Sequence, residues 1–180
     1  MTAASPITEE VDGLTFNFAA GWLTAKCDDW GFYQHQFGRL KGGLKSVDLL
    51  ALSPTGSGGK STLWMIEVKD YRRHRRTKPI SLDEEMAGKV AGTLALLLPA
   101  KLGATSADET RMAGKALNAK EIRVVLHIEQ PSVTLAFAPK DRPINPVNVQ
   151  MALRRRVKSI DAHPEVLDSF STRVPWTVTP

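Results

Sequence analysis

The sequence predicts a mixed α/β fold, because segments with strand and helix patterns alternate along its 180 residues. Two apolar segments separated by a glycine-rich loop are typical of buried strands that form a hairpin. Farther along, two segments with helical spacing begin at capping residues, and an alternating strand lies between them. A chain of this length favours one compact domain, here residues 1–180.

The amino-terminal third supplies the first predicted elements. In residues 16–30 apolar side chains recur at the spacing of one helical face, which predicts an amphipathic helix. Residues 32–40 are interpreted as a strand that approaches the next one through the Gly42-Gly43 turn. Residues 47–52 form a nearly continuous apolar run interrupted by Asp48, as expected for a strand buried on both faces.

The middle of the chain continues this alternation. Residues 53–60 are predicted to be a flexible loop, and residues 62–69 a second strand rich in large apolar side chains. Ser81 and Glu84 have the spacing of a capping box, and helical periodicity then continues to Pro99. Residues 103–118 are interpreted as a mobile surface segment or a poor helix. Residues 122–129 alternate between apolar and other side chains, which predicts another strand.

The last predicted elements are a basic helix and an edge strand. Asn145 and Pro146 supply an N-cap and a favoured first-turn residue for a helix that reaches about residue 160. After Asp161 the tail contains three prolines. The alternation of Val174 and Trp176 there favours an edge strand.

The composition argues against a disulfide-stabilised secreted protein and against a membrane-spanning one. Cys27 is the single cysteine, so a disulfide-stabilised secreted scaffold is excluded. No apolar stretch approaches the ~20 residues that span a bilayer. The amino terminus carries acids where a signal peptide needs positive charge. We therefore expect a soluble, cytoplasmic protein with no membrane partner.

The net charge of +5 is concentrated in two basic clusters, within residues 72–78 and 154–158. Such clusters suit a polyanion, because each phosphate contact releases condensed counterions. A solvated basic face that merely aids solubility has the same composition. Charge alone does not decide between these two interpretations.

Three charged residues in the predicted hairpin carry the candidate chemistry. Glu67 and Lys69 are two apart on one strand, so their side chains leave the same face of the sheet, and Asp48 lies on the neighbouring strand. Two carboxylates at this place could hold a hard cation, with the ammonium close by. The alternative is a surface salt bridge, which alternating strands often produce.

Cleavage of a phosphodiester bond suits this set of residues. A Mg²⁺ or Mn²⁺ ion would neutralise developing phosphate charge and make water nucleophilic, with Asp48 and Glu67 as its ligands. Lys69 would orient or deprotonate the attacking water, or stabilise phosphate charge. Burial beside a cation is expected to lower the pKa of Lys69, as a basic role requires.

The two predicted strands follow Gly43 and contain the segments Val47-Asp48-Leu49-Leu50-Ala51 and Ile66-Glu67-Val68-Lys69-Asp70-Tyr71-Arg72. This pattern resembles the signature of the PD-(D/E)xK nuclease superfamily, and its layout is similar to Mrr-like restriction nucleases and Holliday-junction resolvases. The similarity spans about residues 16–128. It implies a restriction-endonuclease-like mixed central sheet flanked by helices in the order αβββαβ, with a core at about residues 16–130. The basic helix and tail at 145–180 would follow this core.

The resemblance also implies a function. It implies a metal-dependent nuclease acting most readily on DNA, with a homodimer or a protein partner left open. The catalytic residues would be Asp48, Glu67 and Lys69, and the metal ligands Asp48, Glu67 and the backbone carbonyl of Val68. Cations and one aromatic residue near the site are candidates for binding the nucleic acid: Lys45, Tyr71, Arg72, Arg73, Arg75 and Arg76.

The sequence departs from the family pattern at two positions. Val47 stands where the name-giving proline is expected, and the helical glutamate of the family has no clear counterpart. Asn17 occupies the corresponding position, whereas Glu10 or its neighbour Glu9 could fold over the site instead. If no acid takes that place, the alternative function is a nucleic-acid-binding or assembly module with weak or absent catalysis.

Overall fold

The computed structural model describes residues 5–40, 43–56, 59–74, 76–131 and 143–179. Within them, two β-sheets and four α-helices form a mixed α/β arrangement. The strands are β1 (Ile7–Val11), β2 (Leu14–Phe18), β3 (Leu23–Ala25), β4 (Leu49–Leu52), β5 (Thr62–Asp70), β6 (Glu121–Glu129), β7 (Glu165–Leu167) and β8 (Trp176–Thr179). The helices are α1 (Gly31–His35), α2 (Leu82–Gly103), α3 (Ala107–Leu117) and α4 (Pro146–Val157), with short 3-10 turns at Cys27–Asp29 and Phe37–Arg39.

The larger sheet has the strand order β3-β4-β5-β6-β7. Its first three strands are antiparallel neighbours, whereas β5, β6 and β7 are parallel. Parallel neighbours need a crossover connection, and α2 with α3 supplies one between β5 and β6. The hairpin predicted from residues 47–69 and the strand predicted at 122–129 are therefore confirmed.

Both faces of the larger sheet are covered, which explains the continuous apolar run of β4. One face packs against the helices, where Leu50 and Met65 meet Met86 of α2 in one buried cluster. The other face packs against the smaller sheet, where Leu49 belongs to a second buried cluster with Phe16. A strand covered on both faces has no exposed position that favours a polar side chain.

The smaller sheet has the order β1-β2-β8 and is antiparallel throughout. Three of its side chains, Phe16, Phe18 and Trp176, are buried between this sheet and the larger one. The strand predicted in the tail is confirmed as β8, at the edge of this sheet. Pairing of β2 with β8 therefore connects the amino-terminal hairpin to residues near the other end of the sequence.

Two predictions for the amino-terminal third are wrong. The expected helix at 16–30 is replaced by β2, β3 and a 3-10 turn, because Leu14, Phe16 and Phe18 alternate at the two-residue period of a strand. Gly21 then adopts a φ of 87°, which turns the chain where a helix would continue. The expected strand at 32–40 is instead α1 and a second 3-10 turn.

The helices follow their predicted starts more closely than their predicted ends. Asn145 caps α4 by accepting hydrogen bonds from the N–H groups of Val147 and Asn148, which confirms the predicted cap. The expected end of α2 at Pro99 is wrong, since the helix continues to Gly103. The segment 103–118 contains the regular helix α3, whose N-cap is Ser106. Among the described residues, none of these helices is long and apolar enough to cross a membrane.

Candidate active site

The structure brings Asp48, Glu67 and Lys69 together at one end of the β4–β5 hairpin. Asp48 immediately precedes β4, and its Oδ2 accepts a hydrogen bond of 2.8 Å from the backbone N–H of Val68. Lys69 lies two residues after Glu67 on β5 and donates from Nζ to Glu67 Oε1 at 2.5 Å. The periodicity of the strand thus places the charged pair beside the aspartate, as the sequence predicts.

Lys89 of α2 joins these three residues and is not among the sequence-predicted site residues. Its Nζ lies 2.9 Å from Asp48 Oδ1 and 2.6 Å from Glu67 Oε1. We call Asp48, Glu67, Lys69 and Lys89 the acid–lysine cluster. The sequence signal that could have identified Lys89 is its position beside the apolar face of α2, between the buried Met86 and Thr93.

Burial sets the electrostatics of the acid–lysine cluster. The side chain of Glu67 is 1% exposed, and its Oε2 has no hydrogen-bond partner in the described parts of the chain. This burial, followed by the like charge of Asp48, raises the pKa of Glu67 to about 7, although Lys89 and Lys69 partly oppose the shift. Glu67 is therefore a carboxyl group held in a costly environment.

The pKa values of the two lysines are also raised, but by a different cause. Burial by itself lowers the pKa of Lys69 and of Lys89, but the neighbouring carboxylates more than compensate, and both pKa values are raised. The expected lowering of the Lys69 pKa is therefore wrong. Both side chains remain ammonium ions at neutral pH, which favours charge stabilisation by Lys69 over a role as a base.

A close approach between α2 and the chain before β4 positions Asp48. The N–H of Val47 donates to Thr93 Oγ1 of α2 at 2.9 Å. Gly92 forms part of this close approach, because a Cβ added at this residue would lie 2.2 Å from the carbonyl oxygen of Lys45. Only glycine fits there. The backbone of α2 therefore holds the segment before Asp48 in place, and Lys89 of the same helix holds the Asp48 side chain.

A second group of charges lies next to the acid–lysine cluster. Glu85 of α2 accepts hydrogen bonds from Arg76 at 2.7 Å and from Lys78 at 2.5 Å, and we call these three residues the Glu85 cluster. Although burial opposes it, the bonds from Lys78 and Arg76 lower the pKa of Glu85 to about 2. Lys69 lies 3.7 Å from Glu85 and so connects the two clusters.

The predicted nucleic-acid-binding residues divide into two groups. Lys45 and Arg73 are exposed. Arg72 forms a two-point contact with Asp70 at 2.9 Å. Arg76 belongs to the Glu85 cluster, and its Nη1 also donates to the hydroxyl of Tyr71 at 3.2 Å. Arg75 lies outside the described residues. Arg72 and Arg76 therefore already have carboxylate partners.

The residues predicted to take the place of the family's helical glutamate lie outside the acid–lysine cluster. Asn17 is on β2, where its Oδ1 accepts a hydrogen bond from Thr8. Glu10 is exposed on β1, and its neighbour Glu9 accepts from Thr24 Oγ1. None of them joins the acid–lysine cluster.

Asp12, in the turn between β1 and β2, is a further acid whose charge interacts with that cluster. Its φ is 50°, and its side chain is exposed. Partial desolvation and then the charge of Asp48 raise the pKa of Asp12, while Lys69 and Lys89 lower it. The sequence contained no periodic signal for Asp12, because a tight turn and not a helix brings it to this end of the sheet.

The donor atoms fit a hard cation in part. In the described ranges, no group of three or more His, Cys, Asp or Glu side chains is arranged to hold a metal ion. Asp48 and Glu67 nevertheless share contact with one ammonium nitrogen, so their oxygens could also share one ion. The buried Oε2 of Glu67 is unpaired among the described residues, and the backbone of Val68 adjoins Asp48. Such oxygen donors suit Mg²⁺ or Mn²⁺.

Comparison with known proteins gives one likeness to report. The chain is 31% identical over 150 residues to a cysteine–tRNA ligase of Neisseria meningitidis serogroup A, a match that covers 70% of this chain. The chain spans only 22% of the length of that relative. No protein-family model matches the sequence, and no solved structure matches it.

Proposed function

We propose that this chain is a metal-dependent nuclease with a restriction-endonuclease-like core, which hydrolyses phosphodiester bonds, most readily in DNA. The observation that carries the proposal is the convergence of Asp48, Glu67 and Lys69 at the end of a buried hairpin. The antiparallel β3-β4-β5 unit followed by a helical crossover to parallel β6 supports the core. The raised pKa of Glu67 is typical of functional sites.

Each residue of the site has a separate role in this proposal. Asp48, Glu67 and the Val68 carbonyl would hold Mg²⁺ or Mn²⁺, which supplies charge neutralisation at the phosphate and activates water. Asp48 is fixed by the N–H of Val68, so its carboxylate is oriented before any ligand binds. Lys69 keeps its proton and stabilises negative charge that develops on a phosphate oxygen.

Exposed cations supply the contacts with the nucleic-acid backbone. Lys45 lies three residues before Asp48, and Arg73 lies four residues after Lys69. Because both are exposed, they can contact phosphates without first breaking a buried ion pair. The charge contributes affinity without base specificity and makes binding weaken with salt.

A second candidate function is a nucleic-acid-binding or assembly module without turnover. Two observations favour it: Lys89 already contacts both carboxylates, and the sequence is similar to part of a cysteine–tRNA ligase, a protein whose name gives tRNA as its substrate. In this alternative the acid–lysine cluster is structural, and RNA is the preferred ligand.

The test is a cleavage assay with Mg²⁺ or Mn²⁺ on linear, circular, branched and single-stranded DNA and on tRNA. We expect Asp48→Ala and Lys69→Ala each to slow cleavage by about 100-fold or more, because each removes a charge that acts at the reacting phosphate. Asp108→Ala and Lys101→Ala are matched controls at exposed positions of α3 and α2, and they should cleave like the wild type.

The outcomes separate the two candidates. Metal-dependent cleavage that survives Asp48→Ala and Lys69→Ala would contradict the site assignment. If no substrate is cut, the affinity for each nucleic acid is measured by fluorescence anisotropy at increasing salt. Salt-sensitive binding without cleavage, and stronger for tRNA than for DNA, would favour the binding module over the nuclease.

A further inference from the structure

Lys89 occupies the position between the two carboxylates of the proposed active site. Its Nζ lies within hydrogen-bond distance of both Asp48 Oδ1 and Glu67 Oε1, at 2.9 and 2.6 Å. Its side chain is 11% exposed, so solvent competes weakly for the ammonium group. Lys69 contacts Glu67 but not Asp48 among the described ion pairs, so Lys89 is the cation that connects the two acids.

We propose that Lys89 is an internal cation that competes with a divalent metal ion for Asp48 and Glu67, so that metal binds only when the Lys89 ammonium moves away. The inference rests on the proposed function, since it concerns the metal that a nuclease would use. Lys89 is thereby a residue that controls access to the metal site.

Lys89 occupies the space that a shared metal ion would need. Its ammonium contacts Oδ1 of Asp48 and Oε1 of Glu67, so a metal ion bound to these same two oxygens would lie where the ammonium now lies. Mg²⁺ binds oxygen at about 2.0–2.1 Å and requires near-octahedral geometry. An ammonium nitrogen between the same two carboxylates leaves no room for an ion with that coordination.

The charges of the acid–lysine cluster also disfavour a metal ion while Lys89 stays in place. The acid–lysine cluster contains two carboxylates and two ammonium groups, so its charges balance when Glu67 is ionised. A dication added to a balanced, largely buried group meets two ammonium ions without a net negative charge to attract it. Movement of Lys89 leaves one excess negative charge for the metal.

Lys89 can move without unfolding α2. Its ammonium is attached through a flexible four-carbon stem, whereas the helix itself is anchored by the buried Met86 and Val90. A rotation of the side chain therefore releases the carboxylates while the backbone stays in place.

The experiment compares Mn²⁺ binding to the wild type, Lys89→Met and Lys89→Arg by isothermal titration calorimetry. Methionine keeps the unbranched apolar stem and removes the charge, so we expect Lys89→Met to bind Mn²⁺ at least about tenfold more tightly. Lys89→Arg keeps a positive charge and should show no such gain. Lys101→Met, at an exposed position of the same helix, is the control and should bind like the wild type.

A further variant tests whether the gain arises at this site. Addition of Asp48→Asn to Lys89→Met should remove the tighter binding, because it removes one of the two carboxylates. A gain that persists in the double variant would overturn the proposal, since the Mn²⁺ would then bind elsewhere.

A measurement on the wild type avoids any folding defect of the variants. The lysines are acetylated with a water-soluble reagent, with and without saturating Mg²⁺, and the sites are quantified by mass spectrometry. We expect Lys89 to be protected in the absence of metal and to react several-fold faster when Mg²⁺ is bound, while Lys101 reacts equally in both. Unchanged protection of Lys89 at saturating Mg²⁺ would overturn the proposal.

Failure of this inference can be distinguished from failure of the proposed nuclease. Equal Mn²⁺ affinity in the wild type and in Lys89→Met overturns the competition and leaves the nuclease possible. Binding by neither protein overturns both. Tighter binding by Lys89→Met in a protein that cuts no substrate supports the competition and contradicts the nuclease.

Discussion

Glu67 and Glu85 are two glutamates with lysine partners, and Lys69 lies near both of them, 2.5 Å from one and 3.7 Å from the other. Their pKa values nevertheless move in opposite directions, to about 7 for Glu67 and to about 2 for Glu85. Glu67 is 1% exposed and Glu85 is 10% exposed, whereas Lys78 of the Glu85 cluster is 52% exposed. Glutamate and lysine side chains therefore stabilise the Glu85 cluster, whereas in the acid–lysine cluster they leave the Glu67 carboxylate in an unfavourable environment.

The difference lies in what surrounds each carboxylate. Glu85 has a cationic donor at each oxygen, Lys78 at Oε1 and Arg76 at Oε2, and its neighbours are partly solvated. Glu67 has both of its ammonium partners at Oε1, a like charge in Asp48, and an unpaired Oε2 among the described residues. Ion pairs lower a carboxyl pKa only when they outweigh the loss of water, and at Glu67 they do not.

The largest expected effect concerns the pH dependence of stability at Glu67. Its folded-state pKa of about 7 exceeds the ordinary 4.5, so the folded protein holds the proton more tightly and loses stability as pH rises from 4.5 through 7. The variant Glu67→Gln does not titrate there. We expect its stability relative to the wild type to increase by about 3 kcal/mol between pH 4.5 and pH 8.

Urea denaturation of both proteins across this pH range provides the measurement. Glu85→Gln is the control, because it should show no such increase in relative stability. A difference between Glu67→Gln and the wild type that stays constant with pH would mean that Glu67 is ionised normally, and the contrast between the two glutamates would disappear.

The second effect tests the close contact that positions Asp48. Gly92→Ala places a Cβ where the carbonyl oxygen of Lys45 lies, so the segment before β4 must move away from α2. We expect a loss of about 2 kcal/mol in the free energy of unfolding, together with slower cleavage. Gly88→Ala on the same helix has open space around its Cβ and is the matched control. Equal behaviour of the two variants would argue against the contact.

The smallest effect is expected at Glu85. Its folded-state pKa lies below the ordinary value, so its stabilising contribution is present above pH 4.5 and is lost as pH falls toward 2. Since Lys78 is half exposed, solvent screening reduces this contribution to about 1 kcal/mol. Urea denaturation of Glu85→Gln and the wild type should therefore differ at pH 6, and the difference should shrink steadily from pH 4.5 toward pH 2. A difference that is as large at pH 2 as at pH 6 would contradict this assignment.

The candidate site was predictable where it depended on strand periodicity. Glu67 and Lys69 had to share a face because they are two residues apart on a strand, and Asp48 interrupted the neighbouring apolar run. Lys89 was not predictable in the same way, because its contact with Asp48 spans 41 positions and depends on how α2 lies over the sheet. The charge of Asp12 acts on the site from a tight turn that carries no periodic signal.

The β4–β5 hairpin, β6 and the starts of α2 and α4 could be predicted from the sequence alone, because each depends on neighbours within a few residues. The apolar period acts over that short range, and so does the side chain of Asn145, which caps α4. Ser81 stands at the N-cap position of α2, but its side chain makes no capping hydrogen bond, so the predicted capping box is not formed. The secondary structure of the amino-terminal third depends instead on contacts with distant parts of the chain. There the first N–H groups of α1 donate to Glu109 of α3, more than 70 positions away, and β2 pairs with β8 at the other end of the chain. The protonation of the site also depends on the tertiary structure, since desolvation of Glu67 exists only after α2 and both sheets have packed around it.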